Sequence, residues 1–314
     1  MTSIEKRFTV VCIGGMNIDR KFYAKSELQY ETSNPVTSSY SAGGVARNIA
    51  ENLGRLGENV IFLSASGQDG DWELLKETSK SYMDLSYVKT EEDFTTGNYT
   101  AVLDKKGDLV IALADMDVFD EITPQYIKKY ENFIKKADSI VIDLNCPKET
   151  VEYTLQFGKK NEIPIFIIPV SSPKMDRLPK DFSNLSWLIV NKDESETFLN
   201  MSIEDRIDWE RAVEKWLQLG IKNVIVTNGA QGVMAGSKDR KVTYFPAIPT
   251  PEVVDVTGAG DSFCSAVIHM WLHNHEFSSI IKAGMINAHR TIMSPYTVRL
   301  DLNREKLLTE MKDN

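Results

Sequence analysis

The feature that most constrains the fold is a set of short apolar runs separated by helix-length segments. Phe8-Thr-Val-Val-Cys-Ile13, Val60-Ile-Phe-Leu-Ser64, Ser139-Ile-Val-Ile-Asp143, Ile165-Phe-Ile-Ile168, Trp187-Leu-Ile-Val190 and Val224-Ile-Val-Thr227 are almost continuously apolar. A strand of that kind is buried on both faces, and the segments between are long enough to be crossover helices. The pattern predicts the α/β class, with a doubly wound, mainly parallel sheet flanked by helices. In such sheets ligands sit at the carboxyl ends of the strands, and most of the polar motifs below directly follow a strand. Two stretches break the rhythm. Residues 17–41 are polar with β-type alternation, and residues 96–114 read as a hairpin around Lys106-Gly107.

The 314 residues suit one large domain, 1–314, with a small appendage. Hydrophobic and charged contents of 42% and 26% are those of an ordinary soluble protein. A net charge of −9 with no basic face argues against a nucleic-acid partner. Cys12, Cys146 and Cys264 are odd in number and widely spaced. They fit neither a disulfide framework nor a zinc site, and suit a reducing cytosol. Met1-Thr-Ser-Ile-Glu-Lys-Arg7 lacks an apolar targeting core. A cytoplasmic protein without a membrane partner is expected. The histidines His269, His273, His275 and His289 are expected on surface or ordinary helix positions rather than as metal ligands.

Asp255-Val-Thr-Gly-Ala-Gly-Asp-Ser-Phe263 carries the most chemistry. Gly258, Ala259 and Gly260 form a small-residue turn that opens an apolar helix, and amides at a helix N-terminus bind anions. Asp261 would repel a phosphate there, but is well placed to take a proton from a hydroxyl attacking one. Gly-Ala-Gly-Asp alone serves equally well as a tight turn with an Asp cap. The whole string D-x-T-G-A-G-D-x-F resembles the C-terminal signature of the PfkB (ribokinase-like) family of sugar and nucleoside kinases.

That resemblance covers nearly the whole chain and implies the remaining roles. It makes segments 17–41 and 96–114 a β-sheet lid over the main domain. Asp19 matches the family's substrate aspartate, and Ser41-Ala-Gly-Gly-Val-Ala-Arg-Asn48 its first glycine signature, with Gly43, Gly44 and Asn48 on the substrate. Arg47 faces the lid or solvent. Gly67-Gln-Asp69 matches a further, weak position. Asn191-Lys-Asp-Glu194 matches the N-x-x-E motif, with Glu194 holding Mg²⁺ through water. Thr227, Gly229 and Gly232 match the ATP loop, and Asn287 a flank of the adenine pocket. Asp255 and Thr257 match a site for K⁺. A homodimer formed through the lid is a further implication.

Within the family the chain is most similar to the pseudouridine kinase branch. Gly43-Gly-Val-Ala-Arg-Asn-Ile-Ala-Glu-Asn52, Ala112-Leu-Ala-Asp-Met116, Pro169-Val-Ser171 with Lys174, and Ser294-Pro-Tyr-Thr-Val298 carry that likeness. Ribokinases usually have a lysine where Val45 stands. The branch implies transfer of phosphate from ATP to the 5′-hydroxyl of pseudouridine, with Asn98, Met116, Ser171 and Lys174 near the base or ribose. A kinase of another sugar or nucleoside is the nearer alternative, and a catalytically silent binding protein the more distant one.

Overall fold

The computed structural model describes residues 6–183 and 185–313. In chain order the first strands are β1 (Thr9–Ile13), β2 (Asn17–Ala24), β3 (Val36–Gly43), β4 (Asn59–Leu63), β5 (Ala65–Gly67) and β6 (Lys89–Glu91). Then follow β7 (Asn98–Leu103), β8 (Leu109–Asp115), β9 (Ser139–Asp143) and β10 (Ile165–Ile168). The last four are β11 (Trp187–Asn191), β12 (Asn223–Thr227), β13 (Val233–Ser237) and β14 (Arg240–Phe245). Eight of these form the main sheet in the order β14-β13-β12-β11-β10-β9-β1-β4. Strands β4, β1, β9, β10, β11 and β12 run parallel, and β13 and β14 close one edge antiparallel.

Helices α1 (Val45–Arg55), α2 (Gly70–Ser79), α3 (Pro124–Lys129), α4 (Glu131–Ile134) and α5 (Lys148–Asn161) lie in the first half. The second half adds α6 (Lys192–Leu199), α7 (Arg206–Gln218), α8 (Ala259–Leu272), α9 (Phe277–Ile292) and α10 (Arg304–Asp313). They cover both faces of the sheet, which is why its central strands carry no polar face; only the edge strand β14 is polar and largely exposed. Val10 and Cys12 of β1 pack in one core with Ile49 and Leu53 of α1 and Val267 of α8. Their neighbours Val11 and Ile13 pack in the other core with Val151 of α5 and Val213 of α7. Alternation of side chains along one strand therefore feeds two cores at once.

Helix α8 is buried almost all round, from Ser262 to Met270 and at Leu272. An apolar run with no solvated stripe suits such a central position. Cys12, Cys146 and Cys264 are all buried as free thiols, and burial pushes each well above the ordinary thiol range. Among the described residues, no helix is long and apolar enough to cross a membrane.

A second sheet, ordered β3-β2-β7-β8, stands at the carboxyl end of the main one. It pairs β2 antiparallel with β3 and parallel with β7, and β7 antiparallel with β8. The β7–β8 turn is fixed by Asp104, whose Oδ1 accepts the N–H groups of Lys106 and Asp108 at 2.8 and 2.9 Å. Strand β8 is exposed along its whole length, including Leu109, Val110, Ile111 and Leu113.

Candidate active site

The glycine turn ends at Gly258, which caps α8 in the left-handed region with φ of 79°. A Cβ there would fall 2.2 Å from the carbonyl oxygen of Thr297, so both conformation and space demand glycine. No side chain caps α8. The N–H of Ala259 donates to the Val256 carbonyl at 3.2 Å. Among the described residues no acceptor takes the N–H groups of Gly260 and Asp261. These two amides stand at the positive end of the helix, where an anion can be bound.

Asp261 stands in the first turn of α8. Asn48 of α1 donates its Nδ2 to Asp261 Oδ2 at 2.8 Å. The same amide's Oδ1 accepts from Arg47 at 2.8 Å. Arg47 is turned away from solvent and reaches strand β3 of the second sheet. It is buried, bonding Ser79 Oγ, the Ala42 carbonyl and the carboxylate of Glu51. Burial pushes the Asp261 carboxyl up to about 7, and nearby Asp143 and Asp19 add to that, while Asn48 and Arg47 oppose it. A carboxyl tuned near neutrality is matched to general-base work.

Asp143, at the carboxyl end of β9, escaped sequence reasoning. Its Oδ2 accepts the N–H groups of Gly15 and Ala46 at 3.1 and 3.0 Å, and its Oδ1 that of Asn145 at 2.9 Å. It thereby ties the turn after β1 to the start of α1. Asn145 Nδ2 also donates to Asp143, and Lys174 donates to Asn145 Oδ1. Burial holds the Lys174 ammonium below its usual range. Ser171 precedes the short 3₁₀ turn 172–177 that carries Lys174, and its side chain makes no cap bond. The signal available was an acidic residue ending an otherwise apolar strand, on the side of the sheet where ligands gather.

From the second sheet, Asp19 reaches the same region, its carboxyl raised chiefly by burial and receiving Asn17 Nδ2 at 2.7 Å. A Cβ on Gly43 would lie 2.3 Å from Asp19 Oδ2, so this glycine makes room for the carboxylate. Gly44 follows as the cap of α1. Asn98 pairs with Ile18 at the start of β7, and half-buried Met116 follows β8. Lys21 donates to Asp255 Oδ2 at 2.8 Å, while Asp255 Oδ1 accepts both the N–H and hydroxyl of Thr257 at 2.9 and 2.7 Å. Asp69 caps α2 through the N–H of Trp72 and also takes Thr96, a structural role.

On the other side, Asn191 and Thr227 are register neighbours at the ends of β11 and β12. Asn191 and Glu194 form a reciprocal capping box on α6, each bond 2.8 Å. Glu194 is buried, and its carboxyl is pushed up to about 7 by burial, with Asp193 and Asp261 as like-charged neighbours. Gly229 and Gly232 bracket a 3₁₀ turn after Thr227, closed by the Asn228 N–H on the Gly232 carbonyl at 2.9 Å.

One expectation is corrected. Asn287 does not line a ligand cleft: it has no exposed surface, and its amide is taken by the Ser262 carbonyl, Asn52 and Arg299. It fastens α9 to α8 from within. His269 within α8 and His273 at its C-cap take helix positions, as expected, and both bond the buried Glu58.

An uncapped helix N-terminus beside a carboxyl raised to about 7 is the kind of arrangement that phosphoryl transfer to a hydroxyl uses. Residues 7–298 match the model of the pfkB family carbohydrate kinases, and the chain belongs to that family. It is a phosphotransferase acting on an alcohol group. The chain is 30% identical over 297 residues to a pseudouridine kinase of Escherichia coli (strain K12), covering 94% of this chain and 93% of that one. A carbohydrate kinase from Agrobacterium tumefaciens superposes with a TM-score of 0.84 at 28% identity, covering 97% of each chain. An Arabidopsis thaliana ribokinase, solved with ribose and ATP, has the same fold, with a TM-score of 0.86 at 19% identity, covering 98% of this chain and 99% of that one.

Gly258→Ala should lower turnover far more than it lowers stability. Its strain costs about 1–3 kcal/mol of folding, but moving the first turn of α8 misaims both amides and Asp261. Steady-state kinetics alongside urea denaturation checks this; normal kcat would show that the turn tolerates a side chain.

Proposed function

We propose that the protein transfers the γ-phosphoryl group of ATP to the 5′-hydroxyl of pseudouridine, giving pseudouridine 5′-phosphate and ADP. The observation that carries the reaction is Asp261, held by Asn48 beside the free amides of Gly260 and Asp261. Its carboxylate takes the hydroxyl proton as the substrate oxygen forms its bond to phosphorus and the bond to the ADP oxygen breaks. The two amides offset charge on the transferred oxygens. Asp19, Gly43 and Gly44 hold the ribose, with Asn48 keeping the base aimed at its 5′ end. Asn98, Met116, Ser171 and Lys174 face the nucleobase. Thr227, Gly229 and Gly232 cradle ATP.

Glu194, whose carboxyl is raised by burial and in part by the charge of Asp261, fits a divalent cation together with Asp261, and Asn191 adds a neutral oxygen nearby. Mg²⁺ held there through water would neutralise the phosphate oxygens. A monovalent cation fits less well. Both oxygens of Asp255 already have partners, one of them the ammonium of Lys21. Turnover should therefore be unchanged when K⁺ replaces Na⁺; a strict K⁺ requirement would mean that the ion displaces Lys21.

The pseudouridine reading is supported by the likeness to the bacterial pseudouridine kinase and by Val45 in place of the lysine usual in ribokinases. The cytoplasm is the compartment that suits three unpaired thiols. The second sheet serves as the lid, and the apolar face of β8 suits a symmetric contact between two lids.

Asp261→Asn should lower kcat by about 10²–10⁴-fold. In the wild type kcat/KM should rise with pH through about 7, because the base acts deprotonated. The sign for stability is opposite. A carboxyl raised on folding favours the fold below its unfolded value and loses that contribution as pH climbs to about 7. The Asn variant should thus melt higher than wild type at pH above 7. A variant with near-normal turnover would remove Asp261 from the chemistry. ADP release measured in parallel on pseudouridine, uridine, adenosine, ribose and fructose 6-phosphate tests the acceptor. Preference for pseudouridine over uridine is expected, and turnover of another acceptor alone would overturn that assignment while keeping the kinase.

A further inference from the structure

The buried trio Glu58, His269 and His273 has no part in phosphoryl transfer. Glu58 lies in the turn between α1 and β4, and both histidines lie on the last turns of α8 and just past it. The four-residue spacing puts their rings on one face of the helix, 4.6 Å apart between centroids. Glu58 Oε1 meets His269 Nδ1 at 2.6 Å and His273 Nε2 at 2.8 Å. Its other oxygen accepts the N–H of Phe8 at 2.8 Å, which fixes the carboxylate plane. The three side chains are 1%, 1% and 10% exposed, in that order for Glu58, His269 and His273.

We propose that Glu58, His269 and His273 form a structural site for a borderline divalent transition metal such as Zn²⁺. Their ligand atoms lie within 4.8 Å of one another. Two imidazoles and one carboxylate from a helix and an adjoining turn form the donor set that such ions favour, with a fourth position left to water. Metal–ligand bonds of about 2.0–2.1 Å in a tetrahedron need donors about 3.3 Å apart, so each hydrogen-bonded contact opens by about half an ångström on binding. The Phe8 N–H supplies the outer-shell bond that such ligands commonly have.

The location gives the site a purpose. Helices α1 and α8 pack side by side; Asn48 joins Asp261 near their first turns, and this trio joins their far ends. His269 lies about 12 Å along α8 from Asp261, too far to take part in the chemistry. A metal here clamps the helix pair that aims the base.

The test uses untagged protein stripped by chelator and titrated with Co²⁺, read by the visible d–d absorption of a tetrahedral complex. One equivalent of intensely absorbing Co²⁺, displaced by Zn²⁺ and untouched by excess Mg²⁺, is expected. Asp261→Asn should keep the band, which separates this site from any cation at the reaction centre. His273→Ala, at the most accessible ligand, should weaken Co²⁺ binding beyond the roughly 10–100-fold that loss of an outer-shell partner costs. Should that variant unfold, Zn²⁺ raising the wild-type melting temperature, with no such rise in Glu58→Gln, gives the same answer. Absence of a tetrahedral band in the wild type, or a band undiminished in folded His273→Ala, would overturn the proposal and leave the trio as a hydrogen-bonded tie.

Discussion

One hydrogen bond organises this molecule: Asn48 of α1 to Asp261 of α8. The two residues are 213 positions apart in sequence, and each sits in the opening turns of a helix packed on the same face of the sheet. Position them correctly and the rest follows. Asp143 sets where α1 starts by holding Ala46 and Gly15, and Arg47 braces Asn48 from behind through Glu51 and Ser79. Gly258 sets where α8 starts. The catalytic geometry is therefore a property of two helix origins and not of a flexible loop.

Around that bond the protein gathers negative charge. Asp19, Asp143 and Glu194 all lie within electrostatic reach of Asp261, with Arg47 the buried cation among them. Such crowding is costly in a low-dielectric cleft, and it is answered by partial protonation near neutral pH. The same crowding gives a strong preference for ligands that arrive with cations. A site so built is weak as a resting structure and strong once its charged substrate complex is in place.

The layered fold was legible because its strands advertise burial on both faces, and the strand-end rule then located the motifs. Gly258 was legible as part of a small-residue turn opening a helix, and that turn does start α8 there; the chemistry expected of Asp261 and Asp19 rested on the family resemblance, since such a turn alone serves equally well as a cap. What stayed hidden is pairwise. Nothing local in sequence tells Asp143 from an ordinary strand-end residue, since its partners Gly15 and Ala46 are about a hundred positions away. Asn287 matched a family position, yet its amide turned inward because Arg299 and Ser262 needed partners. The i, i+4 histidines were dismissed because the third member, Glu58, lies 211 residues upstream of His269.

The three cysteines give the enzyme a further property. Cys12 lies within β1, Cys146 beside Asp143 and Cys264 inside α8, so every thiol is locked in a different part of the load-bearing core. The folded molecule offers no exposed thiol to oxidants, metals or electrophiles. Each sulfur becomes reactive only when its own segment opens. The chain thus carries three built-in reporters of local unfolding, one for the sheet, one for the strand-end loop and one for the helix that bears the base.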